Sequence, residues 1–181
     1  MVKSYKQKII AQEHLDRYVC GRVIESLLTG DQQARMYPTK ISDPVDLKCV
    51  LLDPDAEQKK QVRPFNVEIK ERIKDEDTLD KFPFAELRVE KFNKMLAYNG
   101  SLRVTTLFYC VLLNRQKALL FNLSEIDWSQ IKEVMWKVKD CEYDELSDAH
   151  EVPVYMIPYE LAEAVVDCAQ YYIDYTKEDF E

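Results

Sequence analysis

The sequence predicts a single α/β domain in which helices flank a mixed β-sheet. The 181 residues are enough to bury one core, and a 46% hydrophobic composition is that of a globular chain. Helical and strand-like hydrophobic patterns also alternate along the chain. Their predicted order is a helix, two or three strands, a helix, two strands, and finally a strand and a helix.

The first predicted element is a long amphipathic helix. Residues 4–30 carry apolar side chains at helical spacing, with Ser4 as a candidate cap and Gly30 as a candidate stop. A polar stretch containing Pro38 and Pro44 follows, and its composition predicts a loop.

Two strands are predicted next, over residues 46–53 and 62–72. The segment 54–61 between them is polar, and both of its flanks look extended. This pattern predicts an antiparallel hairpin.

A second helix is predicted over residues 84–99, and its inward side chains are expected to be Phe84, Leu87, Phe92 and Leu96. Residues 102–113 are rich in β-branched and aromatic side chains, which indicates a central strand, and 117–123 is predicted to pair with it. A short strand over 152–158 and a closing helix over 159–176 complete the chain.

The domain assignment is one domain over residues 1–181, with a core over about 5–123 and an acidic C-terminal strand–helix extension over about 124–181. The formal net charge is −8, but residues 1–121 carry +4 and residues 122–181 carry −12. A mildly basic body of this kind can present a local basic face to nucleic acid.

Several classes of protein are excluded or disfavoured by composition. Only three glycines are present, which excludes glycine-rich phosphate loops of the P-loop and Rossmann kinds. Five scattered cysteines without a CxxC pair favour free thiols over a disulfide framework or a zinc site. The charged N-terminus and the absence of a long apolar run predict a cytoplasmic protein without a membrane partner.

The strand over residues 62–72 carries the most informative pattern. Val67 and Ile69 fall on one face, while Glu68 and Lys70 share the other face two residues apart. Taken alone, such a pattern is also typical of a strand with one face in water. In a hairpin, however, Asp46 at the start of the preceding strand would lie close to Glu68 and Lys70. Two carboxylates suit Mg²⁺, and a lysine beside them can stabilise charge on a phosphoryl group.

The N-terminal helix, Asp46, the strand "FNVEIK" and the helix "FAELRVEKFNKML" together resemble the PD-(D/E)xK nuclease superfamily, the restriction-endonuclease-like fold. The resemblance covers roughly residues 5–123 and implies an αβββαβ core. It also implies Asp46 and Glu68 as ligands of Mg²⁺, with Mn²⁺ as a substitute and help from the Ile69 carbonyl. Lys70 is implied as the catalytic lysine.

Two assignments stay open at this point. Many members of the superfamily place a catalytic glutamate on the first helix, which corresponds here to Glu13 or Glu25. The family's Pro-Asp dipeptide is absent, since Asp46 follows Val45, so Asp43 is a rival ligand. Asp46 is preferred because it directly opens the apolar strand.

The implied function is Mg²⁺-dependent hydrolysis of phosphodiester bonds in nucleic acid, with DNA expected, by a homodimer or within a larger assembly. The residues expected to contact nucleic acid are basic: Lys59, Lys60, Arg63, Arg72, Arg88 and Lys91. The alternative is a non-catalytic binding or scaffold module of the same fold that docks a basic protein through its acidic C-terminal third. These readings differ in whether Asp46, Glu68 and Lys70 converge in space.

Overall fold

A computed structural model describes residues 5–30, 32–40, 42–53, 61–74, 81–138 and 150–178. The helices in these ranges are α1 (Tyr5–Ser26), α2 (Val89–Leu102) and α3 (Ala169–Glu178). The strands are β1 (Gln33–Pro38), β2 (Leu47–Asp53), β3 (Gln61–Arg72), β4 (Phe84–Arg88), β5 (Thr106–Leu113), β6 (Lys117–Asn122), β7 (Lys132–Val138), β8 (His150–Pro158) and β9 (Ala164–Asp167). Single 3₁₀ turns occupy Trp128–Gln130 and Tyr159–Leu161.

The main sheet has six strands in the order β1-β2-β3-β5-β6-β9. Strands β3 and β5 run parallel, whereas every other neighbouring pair is antiparallel. The predicted mixed α/β class is therefore confirmed. Helix α1, strands β1 to β3, helix α2 and strand β5 follow one another in the expected αβββαβ order, with β4 inserted before α2.

A second, three-stranded sheet has the order β4-β8-β7 and is antiparallel throughout. Its central strand β8 is the strand predicted over residues 152–158. Helix α2 packs between the two sheets, where Phe92 contacts the rings of Trp128 and Tyr155 at centroid distances of 4.2 and 5.7 Å.

The main sheet is buried on both faces. On one face it packs against α1 and α3, through the buried side chains Val19, Val23, Val67, Ile69, Leu112 and Tyr172. On the other face it packs against α2 and the second sheet, through Phe92, Met95, Leu107, Val111, Phe121 and Ile157. Strand β5 lies in the middle of this sandwich, which explains why its sequence is almost continuously apolar.

The predicted helix over residues 84–99 is wrong in its first part. Residues Phe84–Arg88 form β4, and the helix begins only at Val89. Ala, Glu and Leu favour helices, yet pairing with β8 and the burial of Ala85 and Leu87 on one face override that preference. Leu96, expected inward, is exposed; Met95 is buried in its place.

The closing helix is also shorter than predicted, because part of it is a strand. Ala164–Asp167 forms β9, which pairs with β6, and the helix begins at Ala169. The stretch predicted as a loop around Pro38 contains β1 at the sheet edge. Strand β7 was not predicted either. These strands are short and lie at sheet edges, so their alternation of apolar and polar residues is weak.

The structure also locates the candidate helix stop and most of the cysteines. Gly30, the candidate helix stop, lies four residues after α1 ends and has a φ of 59°, the left-handed conformation that favours glycine. The candidate cap Ser4 and residues 54–60 of the predicted hairpin connection lie outside the described ranges. Cys20, Cys49, Cys110 and Cys168 are buried free thiols, and Cys141 is outside the described ranges. No helix within the described ranges is long and apolar enough to cross a membrane.

Candidate active site

Asp46 lies immediately before β2, and both its backbone and its side chain form hydrogen bonds to β3. Its backbone N–H donates to the Val67 carbonyl at 2.9 Å, and its Oδ2 accepts from the Ile69 N–H at 2.8 Å. The antiparallel pairing of β2 with β3 therefore brings Asp46 beside the Glu-x-Lys segment, as the predicted hairpin requires.

Glu68 is almost completely buried, with 8% of the residue exposed. Its Oε1 lies 2.8 Å from Lys91 Nζ on α2, whereas its Oε2 is buried and has no hydrogen-bond donor. Burial, and then the neighbouring Asp46 carboxyl, raise the pKa of Glu68 to about 8, while Lys91 opposes that shift. Glu68 is therefore largely protonated at neutral pH when no further cation is bound.

Lys70 follows Glu68 on the same face of β3, and its side chain is exposed. Partial loss of hydration lowers the pKa of Lys70, and the positive charges of Arg72, Arg88 and Lys91 lower it further. Positive charge is therefore concentrated around Lys70, and one of these cations, Lys91, also contacts Glu68. Lys70 has no ion-pair partner among the described residues.

Arg72 is held in place by a second acidic side chain. Its Nε lies 3.0 Å from Glu86 Oε2 on β4, and Lys74 Nζ lies 2.8 Å from the other oxygen of Glu86. Lys74 and Asn114 also exchange hydrogen bonds of 2.7 and 2.8 Å through the Asn114 amide and the Lys74 backbone. This cluster fixes the end of β3 beside Lys70.

A buried amide pair joins β3 to α2 on the same face as Glu68. Asn66 Nδ2 donates to Asn99 Oδ1 at 2.7 Å, and Asn99 Nδ2 donates to the Thr106 carbonyl at 3.3 Å. Both residues are buried. Because α2 carries both Asn99 and Lys91, this pair sets the position of the helix over Glu68.

Helix α1 contributes two residues that the sequence analysis did not single out. Arg17 Nη2 lies 3.9 Å from Asp46 Oδ1, and Arg17 Nε is buried without an acceptor. Burial raises the pKa of the adjacent Asp16 to about 6; Glu71 and Asp46 add to the shift, whereas Gln12 and Arg115 oppose it. No spacing signal distinguishes these two residues from the other charged residues of α1, because their position depends on how the helix crosses the sheet.

The two candidate helix glutamates lie in different surroundings. Glu25 is exposed and pairs with Arg22 at 2.8 Å. It lies eight residues beyond Arg17, about 12 Å along the helix. Glu13 is partly buried and lies one turn before Arg17. Glu13 is therefore nearer than Glu25 to Arg17, which contacts Asp46. The geometry favours Glu13 as the helix glutamate of the site.

The rival ligand Asp43 lies in the loop before β2. Its Oδ2 accepts from Tyr98 Oη at 3.1 Å and from the Lys40 N–H at 3.4 Å. The position beside Glu68 is occupied by Asp46, so the geometry favours Asp46. Of the other expected nucleic-acid contacts, Lys59 and Lys60 lie outside the described ranges, and Arg63 lies about 16 Å from Glu68 along β3.

The acidic pair has the donor set of a magnesium site. The described residues contain no cluster of three or more His, Cys, Asp or Glu side chains that could hold a metal. Magnesium needs only one or two carboxylates, because it keeps several water ligands. The unpaired Glu68 Oε2 and the Asp46 carboxylate match that requirement. The Ile69 carbonyl lies on the same strand edge as its N–H, towards Asp46.

A solved structure shows a remote likeness to this chain. No family model and no curated protein matches the chain. The 1.6 Å structure of Hjc from Archaeoglobus fulgidus, a Holliday junction resolvase from an archaeal hyperthermophile, is similar, with a TM-score of 0.41 and 10% sequence identity. The alignment covers 82% of this chain and 96% of that chain.

Proposed function

We propose that this protein is a nuclease that hydrolyses phosphodiester bonds in DNA with the help of Mg²⁺. The observation that carries the proposal is the buried, unpaired Oε2 of Glu68 beside the Asp46 carboxylate. A buried carboxyl oxygen without a hydrogen-bond donor costs stability, and a bound cation would remove that cost.

Asp46, Glu68 and the Ile69 carbonyl would hold the ion, and Mn²⁺ would substitute for it. When bound, Mg²⁺ supplies positive charge that favours ionisation of the attacking water and neutralises the phosphate. The Ile69 N–H and Arg17 orient Asp46, and Lys91 orients Glu68, so both carboxylates are held before a substrate arrives.

Lys70 is the candidate for direct contact with the reacting phosphate. Its ammonium is not tied to an acid among the described residues, and it is next to Glu68 on the same face. Negative charge develops on the non-bridging oxygens during hydrolysis, and a fixed ammonium lowers that barrier. Because loss of hydration and then the surrounding cations lower the pKa of Lys70, its proton is also more easily donated to a leaving oxygen.

The substrate class follows from the charge around the acidic pair. Arg72, Arg88 and Lys91 lie close enough to Lys70 to lower its pKa, so positive charge is concentrated beside the acidic pair, where a polyanion would be attracted. Nucleic acid supplies such a charge, and its affinity should fall steeply with added salt. Lys59, Lys60 and Arg63 are further proposed contacts of the nucleic acid, and Glu13 is the proposed helix glutamate of the site.

The test compares Asp46→Asn with Asp43→Asn. Calorimetric titration with Mn²⁺ and nicking of supercoiled plasmid in Mg²⁺ are measured for both variants and the wild type. Asp46→Asn should lose Mn²⁺ binding and nicking, because one of two carboxylate ligands is gone. Asp43→Asn removes an equal charge three residues away and should retain both.

If both variants lost Mn²⁺ binding and nicking equally, the cause would be the loss of one negative charge and not of a ligand. If Asp46→Asn bound Mn²⁺ and nicked plasmid like wild type, the acidic pair would be excluded as the metal site. A wild type that binds Mn²⁺ but cleaves neither duplex nor single-stranded nucleic acid would favour the non-catalytic module.

A further inference from the structure

Strand β7 lies at the edge of the three-stranded sheet and pairs only with β8 among the described strands. Five of its side chains are exposed: Lys132, Glu133, Met135, Trp136 and Lys137. Met135 is 59% exposed and Trp136 is 38% exposed. An edge strand of this kind presents unpaired backbone N–H and C=O groups beside apolar side chains, which is the surface that another strand pairs with.

We propose that β7 pairs antiparallel with β7 of a second copy of this chain, with Met135 opposite the same residue of that copy. In this register Glu133 lies opposite Lys137 at both ends of the pair, and Val134 lies opposite Trp136. The two three-stranded sheets then join into one six-stranded sheet around a two-fold axis.

The charges of β7 are complementary to themselves in this register. Neither Glu133 nor Lys137 forms an ion pair with a described residue in the isolated chain. Each would gain an opposite charge across the new pair, which stabilises antiparallel strands. A shift that places Val134 opposite itself would instead set Glu133 against Met135 and leave both charges without a partner.

The other edge strands lack this property. Strand β1 has no acidic residue, and β9 has no basic one. Strand β4 contains both signs, but Glu86 is already bound by Arg72 and Lys74. Charge complementarity with a second copy is therefore specific to β7 among the described edges.

Sedimentation velocity of the full chain over a range of micromolar concentrations tests the pairing. Wild type should show a concentration-dependent dimer. Glu133→Lys alone and Lys137→Glu alone should each weaken dimerisation about tenfold or more, because two attractive pairs become repulsive. The double variant Glu133→Lys/Lys137→Glu should dimerise like wild type, because both pairs are restored with reversed sign.

A mixture of the two single variants should form a heterodimer, since one copy then carries two lysines and the other two glutamates. Lys132→Glu is the matched control. It changes the charge of the same strand by the same amount as Lys137→Glu, but lies outside the charge pairs, so dimerisation should remain.

The proposal is overturned if wild type stays monomeric throughout, or if the double variant and the mixture fail to recover the dimer. Equal weakening by Lys132→Glu would also overturn it, because the effect would then come from net charge. None of these readouts uses nuclease activity, so the proposal stands or fails independently of the function proposed above.

Discussion

Glu68 and Glu71 lie three residues apart on β3, so their side chains are on opposite faces of the sheet. Each forms an ion pair with one basic side chain, and the two basic side chains come from different parts of the chain. Glu71 pairs with Arg115 Nε at 2.7 Å on the face that α1 covers, whereas Glu68 pairs with Lys91 at 2.8 Å on the face that α2 covers.

The difference between the two acids lies in what surrounds the pair. Glu71 is 19% exposed in its side chain, and Arg115 also bonds to Gln12 on α1. The Glu68 side chain is 10% exposed, its second oxygen has no donor, and a second carboxyl lies beside it. An acidic side chain whose oxygens all have partners stabilises the fold. A buried acidic side chain with an oxygen that lacks a partner costs stability, and this indicates a function.

Replacing each acid with glutamine should give the largest contrast. Glu68→Gln should show no plasmid nicking in Mg²⁺ above the background rate, because even outer-shell changes at metal sites cost about 10- to 100-fold. Its free energy of unfolding should not fall, since Glu68 already holds a proton at neutral pH. Glu71→Gln is the matched control and should nick at close to the wild-type rate. If Glu68→Gln and Glu71→Gln nicked plasmid at the same rate, the proposed difference in role between the two acids would be wrong.

Lys70→Ala should reduce nicking by about 100- to 1000-fold, the usual effect of losing one charge-stabilising donor. Mn²⁺ affinity measured by calorimetry should be unchanged, because an ammonium has no lone pair to donate. Lys70→Arg should recover little, because a planar guanidinium does not replace a compact charge. Lys94→Ala, which removes an exposed lysine of α2, is the control; a fully active Lys70→Ala would disprove the role.

Asn99→Ala should lower the free energy of unfolding by about 1–3 kcal/mol, because the buried amide of Asn66 would lose its acceptor. Urea denaturation measures the change. Asn93→Ala on the same helix is exposed and should cost much less. Equal costs for the two variants would mean that the amide pair does not fix α2.

Asp16→Asn should change how stability depends on pH. The folded-state pKa of about 6 lies above the ordinary aspartate value of 3.8, so the folded protein keeps a proton that the unfolded chain loses. Stability from this group is full below about pH 4 and is lost as pH rises through about 6. The variant should therefore be more stable than wild type at pH 7, by up to about 3 kcal/mol.

Thermal unfolding at pH 4 and pH 7 checks this expectation. Asp174→Asn is the control, since Asp174 accepts from Gln170 at 2.7 Å in the same i,i+4 arrangement as Gln12 and Asp16 at 2.8 Å. A gain at pH 7 that is the same size in both variants would contradict a specific effect of Asp16.

The sequence by itself determined the hairpin and the residues that it brings together. Asp46 opens an apolar strand and Glu68 lies within the next one, so a local antiparallel connection is enough to predict that they meet. The alternation around Val67 and Ile69 also assigned the faces of β3, because side chains alternate with a period of two.

Only the tertiary structure decided what surrounds this pair. Lys91 and Arg17 reach the carboxylates because α2 and α1 cross opposite faces of the sheet, and no sequence period encodes where a helix crosses. Strands β4, β7 and β9 were missed for a related reason. Their residues have weak strand patterns of their own, and they become strands through hydrogen bonds to partners that are distant in the sequence.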